Sequence, residues 1–226
     1  IDIVNTIYEI ITLQDGTSSC PQMRHVLRWY LNHGTTGKDR TQMINLDRHI
    51  YEGRPADTSG RLEKEIRTYD LLDELGIRYQ RVDHEAAMTV DDCRGVDELL
   101  GIDICKNLFL TNSQKTKFYL LLMPGKKRFV TREFCAQIHS PRLSFGSPEL
   151  LERTLDLTPG SVSILGLMND SEKQVQLAID REVYEEPYFG CHPCINTSSL
   201  KMESREIWDK FLPAVGHDPI FVDLKG

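Results

Sequence analysis

The sequence predicts an α/β protein of the α+β kind, a mixed, largely antiparallel sheet with helices packed around it. Three observations carry this. The segments Lys106–Asn112, Lys117–Met123 and Arg128–Val130 are short, apolar and separated by only a few residues, too few for helical crossovers. Helix boundaries are written with specific chemistry, as at Gly76 and at Ser147-Pro148-Glu149. Strands and helices do not alternate in the regular way of a doubly wound sheet.

Taken in order, Met23–Leu31 has Val26, Leu27, Tyr30 and Leu31 at helical spacing. Gly53–Gly60 is turn-rich and reads as a linker. The next helix spans Leu62–Leu75, with Ile66, Tyr69 and Leu72 on its apolar face and Gly76 as the residue that ends it. Ile77–Val82 alternates like a half-buried strand. Thr89, three residues before Asp92, is placed to cap a helix that runs to Leu100 and stops at Gly101. Phe118–Leu122 is nearly all apolar, which puts Lys117–Met123 at the centre of the sheet. Pro124-Gly125-Lys126-Lys127 turns the chain into Arg128–Val130, and Thr131 caps a short helix to Ile138. Ser147 caps the helix to Thr154. Gly160 opens a strand at Ser161–Leu167, and Asn169-Asp170 turns it back so that Val175–Asp180 pairs with it as a hairpin. Residues 184–199 form a loop, Leu200–Met202 is a short strand, Ser204 caps a helix to Leu212, and Ile220–Val222 is the last strand.

Composition narrows the function classes. A chain of 226 residues, 40% hydrophobic and 27% charged, suits one soluble domain, or one domain with an appendage, and no apolar run reaches the ~20 residues of a membrane helix. Ile1-Asp2-Ile3-Val4 lacks the basic start of a signal peptide, so none is expected. A net charge of −7 argues against broad, salt-driven coating of nucleic acid, though not against gripping only its end. Six irregularly spaced cysteines suggest reduced thiols in the cytoplasm. Cys191 and Cys194 form a lone C-x-x-C, half of what a structural zinc needs, so neither a metal nor a cofactor is expected. The loop His33–Thr41 is similar to the phosphate loop of tyrosine-phosphatase-like enzymes, but Gly34 stands where the nucleophile should be; it reads as a solvated Gly/Thr loop.

Three stretches carry candidate chemistry: Cys105–Leu110, Thr158–Ser163 and His192–Thr197. Together they supply a cation, an amide, backbone N–H groups and an imidazole, without a nucleophile beside a base. That set suits holding a phosphate and polarising an ester better than covalent catalysis. Cys191 beside His192 is no nucleophile–base pair, because neighbours on an extended segment point apart. His84 reads as a loop hydrogen-bonder.

From residue 50 onward the chain resembles the prolyl-tRNA editing domains, the insertion domain of bacterial prolyl-tRNA synthetases and its free-standing relatives. The matching blocks are Tyr69-Asp70-Leu71-Leu72, Lys106–Leu110, Arg142-Leu143-Ser144-Phe145, Thr158–Val162, Gly166–Asp170, and His192-Pro193 with Asn196-Thr197. The resemblance implies an editing domain at 50–226 behind an extension, 1–49, of unassigned role. It implies hydrolysis of a wrong aminoacyl ester on the tRNA for proline, with alanine as the usual target and cysteine as the alternative. The contrasting possibility is a module that binds tRNA or an amino acid without hydrolysis. The acceptor end of the tRNA is the implied partner, and prolyl-tRNA synthetase a second one. Lys106, Gly160 and His192 would form the catalytic group. Asn107, Ser161, Asn196, Met88, Ile164 and Arg142 would contact substrate. Ser163-Ile164 departs from the family's usual Thr-Pro, which bears on the pocket wall.

Overall fold

The computed structural model describes residues 46–86 and 90–226. The expected helix Met23–Leu31, the loop His33–Thr41, Met88 and the cap Thr89 lie outside them. Along the described chain run β1 (Tyr51–Glu52), α1 (Glu63–Glu74), β2 (Tyr79–Asp83), α2 (Val90–Leu100), β3 (Lys106–Asn112), β4 (Phe118–Met123), α3 (Thr131–Gln137), β5 (Leu143–Phe145) and α4 (Pro148–Leu155). A 3₁₀ helix (Ile164–Asn169), β6 (Val175–Asp180), α5 (Arg181–Glu185), β7 (Tyr188–Cys191) and β8 (Ser198–Glu203) follow. A helical stretch at 204–215, with a π turn at Ile207–Phe211, leads to β9 (Ile220–Val222).

The strands form two sheets rather than one. Five strands lie in the order β5-β3-β4-β6-β9, and four in the order β1-β2-β8-β7. The four-stranded sheet is antiparallel throughout. The five-stranded one is mixed: β4 pairs antiparallel with β3 and parallel with β6, and β6 pairs parallel with β9. β4 is central, as its unbroken apolar run requires, because both its faces are buried. Leu120 and Leu122 join one core cluster with Leu177 and Ile179, while Leu121 and Met123 join another with Phe134 and Ala178.

Local chemistry sets several boundaries as expected. Gly76 takes φ 61° after α1, a conformation favouring a residue without Cβ. Ser147 accepts a hydrogen bond from Leu150 N at 3.4 Å, with Pro148 opening α4.

Other expectations are corrected. Ser161–Leu167 is not a strand, and Val175–Asp180 does not pair back on it. Ile164, Leu165, Gly166 and Leu167 are all buried in succession, and 3₁₀ winding satisfies that as well as a strand would. Ser163 Oγ starts this winding by accepting from Leu165 N at 3.2 Å. β6 turns instead to β4, where Leu177 meets Leu120. Arg128–Val130 is irregular and leads directly into α3. The residue before α3 is Val130, which offers no side-chain cap, so Thr131 is the first helical residue. Ser204 likewise lies inside its helix, with a buried hydroxyl. On α1 the buried residues are Glu65, Thr68, Tyr69 and Leu72, while Ile66 is only partly covered. The Glu65 carboxylate turns inward because Arg61 and the Tyr69 hydroxyl meet it there.

Residues ahead of β1 already run beside β2. Leu46 bridges to His84, and Asp47 N donates to the Asp83 carbonyl at 3.1 Å. Among the described residues no helix is long and apolar enough to cross a membrane.

Candidate active site

β7 and β8 are adjacent antiparallel strands, and the loop between them, 192–197, carries His192 and Asn196. The loop at 158–163 packs against it. Gly160 sits at φ 90°, and a Cβ there would lie 3.4 Å from Asn196 Nδ2, so glycine allows both the turn and the close approach. Ser161 is buried and knots its own loop, its hydroxyl donating to the Thr158 carbonyl at 3.0 Å and accepting from Thr158 N at 3.2 Å. That gives Ser161 a loop-building role within the site.

The hydrogen bonds of His192 determine its tautomer. Its Nδ1 lies 2.9 Å from the Ser198 carbonyl, which can only accept, so Nδ1 carries the hydrogen and Nε2 the lone pair. Burial pushes the imidazole down to about 4, against the Ser198 carbonyl, which favours the charged form; the neighbouring His84 adds to the lowering. His192 is therefore a neutral base at physiological pH.

His84 completes the arrangement. It is buried at the end of β2, its Nδ1 donating to the Glu85 carbonyl at 2.7 Å and its Nε2 lying 2.9 Å from Ser199 Oγ. Ser199 Oγ is in turn 3.3 Å from His192 Nδ1, and the two rings stand 6.2 Å apart. Burial lowers the His84 pKa as well. His84 is thus a hydrogen-bonder, as expected, and one whose partners connect it to His192.

Next to His84 in the chain lies a partly buried ionic network. Arg61 pairs with Glu65 and, at 2.6 Å, with Asp83, which also accepts from Arg81. Burial alone would raise the Asp83 pKa, but the two guanidinium groups outweigh it and hold the carboxyl below the usual range. Tyr69 links Glu65 at 2.8 Å to Ser198 Oγ at 3.4 Å. The network braces β2 and β8 at the residues that hold the histidines.

The remaining candidates divide. Asn107 sits beside Cys105, donating to its carbonyl at 3.2 Å, while its buried Oδ1 finds no partner among the described residues. A buried acceptor left open costs stability unless something fills it. Lys106 leaves β3 on the other face, with its cross-strand neighbour Met123, and its ammonium donates to the Lys127 carbonyl at 2.8 Å. Burial lowers its pKa. Ile164 is fully buried in the core, and Arg142 is exposed on the approach to β5. Cys105, Cys191 and Cys194 are buried; burial raises the first to about 12, the second well above its usual value and the third to about 11, so none offers a thiolate. A cleft of about 430 Å³ between Lys117, Lys173 and His217 shares no residue with the histidine cluster.

Sequence reasoning missed Ser199 and the part played by His84. No local signal could have found them, since 115 residues separate the partners.

A family model described as the aminoacyl-tRNA editing domain matches residues 84–209. The prolyl-tRNA editing protein ProX of Acetoanaerobium sticklandii is 29% identical over 147 residues, covering 65% of this chain and 88% of that protein. Prolyl-tRNA synthetase associated domain-containing protein 1 of Xenopus laevis is 29% identical over 170 residues, covering 73% and 98%. A solved structure described as a candidate trans-editing enzyme for prolyl-tRNA synthetase superposes with a TM-score of 0.55 at 17% identity, covering 73% of this chain and 98% of that one, which establishes a shared fold. The matched segment runs from His84 through His192 to the helix after β8 and takes in Asn107, Gly160, Ser161, Asn196 and Ser199, while the ionic network of Arg61, Glu65, Tyr69, Arg81 and Asp83 lies ahead of it; the chain belongs to the aminoacyl-tRNA editing domain family as an aminoacyl-tRNA deacylase.

Proposed function

We propose that the chain acts in trans on mischarged tRNA for proline, hydrolysing the ester of Ala-tRNA(Pro), and that 50–226 is the editing unit. The observation that carries this is the neutral His192, with its lone pair fixed on Nε2. An aminoacyl ester is already activated, so positioning a water and stabilising the oxyanion are enough. His192 Nε2 takes a proton from that water as its oxygen adds to the ester carbonyl. Backbone N–H groups of the Gly160 loop other than that of Ser161, which the Thr158 carbonyl holds, would stabilise the developing oxyanion, and the missing Cβ allows the close approach. The tetrahedral intermediate collapses by breaking the bond to the terminal ribose oxygen, which leaves with the proton from His192.

The open Asn107 Oδ1 supplies an acceptor for a polar hydrogen of the aminoacyl group, such as those of its ammonium. Asn196, whose amide lies close to Gly160, would contact substrate beside that glycine. Lys106 keeps two ammonium hydrogens without partners among the described residues and would meet the terminal phosphate. Arg142, being exposed, would touch the tRNA further out. Met88 is assigned to the wall that admits alanine and rejects the larger, rigid proline, since close-packed walls exclude by clash; Ile164, fully buried, would shape that wall only from within the core. Prolyl-tRNA synthetase, present in the relatives' names, is the implied source of the mischarged substrate and the natural partner.

The experiment is amino-acid release from tRNA(Pro) charged in turn with alanine, cysteine, serine and proline. Alanine should be released fastest and proline spared, and His192→Ala should slow release at least about a hundredfold. Faster clearance of the cysteine ester would move the chain to a cysteine-specific role. Binding without release of any amino acid would make it a carrier module.

A further inference from the structure

We infer that His84, acting through Ser199, is a positioning residue for the His192 imidazole. The inference rests on His192 being the group that handles water. The hydrogen bonds can be directed one way only. The Glu85 carbonyl requires a hydrogen on His84 Nδ1, so neutral His84 offers a lone pair at Nε2. Ser199, 2.9 Å away, donates its hydroxyl hydrogen there. Its oxygen then has lone pairs to accept the His192 Nδ1 hydrogen at 3.3 Å, a hydrogen shared with the Ser198 carbonyl at 2.9 Å. Three groups thus point their dipoles the same way, from His192 to Ser199 to His84 to the Glu85 carbonyl.

Donating its own hydrogen makes the Ser199 oxygen a better acceptor, because hydrogen bonds in series polarise one another. The second acceptor holds the His192 ring against rotation and stabilises the positive charge that the ring gains while it carries the water's proton. The anchor is rigid at both ends. Asp83 and Val82, ahead of His84, are paired in register with Ser198 and Ser199, so one strand pair positions donor and acceptor together.

Ser199→Ala removes the bridging hydroxyl and leaves the Ser198 carbonyl contact. It should lower kcat between about two- and tenfold with little change in KM, the span of a single hydrogen bond. Ser199→Thr keeps a hydroxyl and should restore most of the rate. His84→Leu should cost about as much as Ser199→Ala, and the double variant no more than either, because the chain works as a unit. A nitrogen-15 titration of the His192 ring needs no substrate: in Ser199→Ala its pKa should fall further and return in Ser199→Thr. A wild-type kcat and an unmoved His192 titration in Ser199→Ala would overturn the inference, as would losses that simply add in the double variant. His192→Ala hydrolysing at the wild-type rate would instead sink the catalytic role of His192, and the titration would still decide whether Ser199 and His84 hold the ring.

Discussion

The two sheets divide the labour of the molecule. In the five-stranded sheet, β4 has the sequence Phe-Tyr-Leu-Leu-Leu-Met and buries it on both faces. In the four-stranded sheet, β2 and β8 bury Arg81, Ser198 and Ser199, with His84 at the end of β2. The first sheet is stabilised by apolar area and dispersion, which are tolerant of direction. The second also buries Tyr79, Val82, Leu200 and Met202, but adds buried polar side chains whose partners fix geometry at the expense of stability. An ester hydrolase needs both, a frame that does not move and a site whose groups point one way.

Breaking the frame gives the largest expected effect. Leu122 is fully buried in the centre of β4, so Leu122→Ala should destabilise by about 2–5 kcal/mol in urea unfolding while the folded fraction keeps its rate of deacylation. A rate lost without stability would erase the division between the sheets. Lys106 tests its boundary, since it lies on the frame but is assigned to substrate. Lys106→Ala should slow deacylation roughly tenfold, with a weaker salt dependence than wild type, and leave the urea midpoint nearly unchanged.

Acid sharpens the comparison from the other side. Both site histidines have folded-state pKa values below their ordinary value, His192 at about 4. Keeping them neutral therefore contributes stability that is complete above the unfolded value of about 6.5 and is lost as pH falls toward 4. Urea midpoints should decline across that window, and less so in His192→Ala. Asp83, held below its ordinary value, adds a loss only at lower pH. The smallest effect belongs to the surface. Arg54 meets Asp70 at 2.6 Å with both side chains well exposed, so Arg54→Ala should cost at most about 1 kcal/mol.

What could be read in advance was what is local. Ser147-Pro148 marks its helix by chemistry within three residues, and the apolar run of β4 states its own burial. The run Ser161–Leu167 misled because consecutive buried residues have no period, and Gly166 only reveals its purpose in three dimensions, where a Cβ would strike Leu157 at 2.5 Å. In the site, Gly160 and His192 lie in recognisable blocks. Ser199 is an unremarkable serine until β8 lies beside β2. The opposite faces taken by Lys106 and Asn107 follow from strand alternation, but which face meets the histidines depends on a second sheet that no local pattern describes.

The pairing of β2 with β8 also governs when the protein becomes active. Asp83 meets Ser198 only after the intervening chain has closed into a loop, and loops of this length are slow to form during folding. The local strand pair β3–β4 can assemble early, but the histidines remain apart until the long-range strands join. An incompletely folded chain would then hold the β3–β4 pair and no working site, so refolding followed by deacylation should lag behind protection of the β3 and β4 amides from hydrogen exchange.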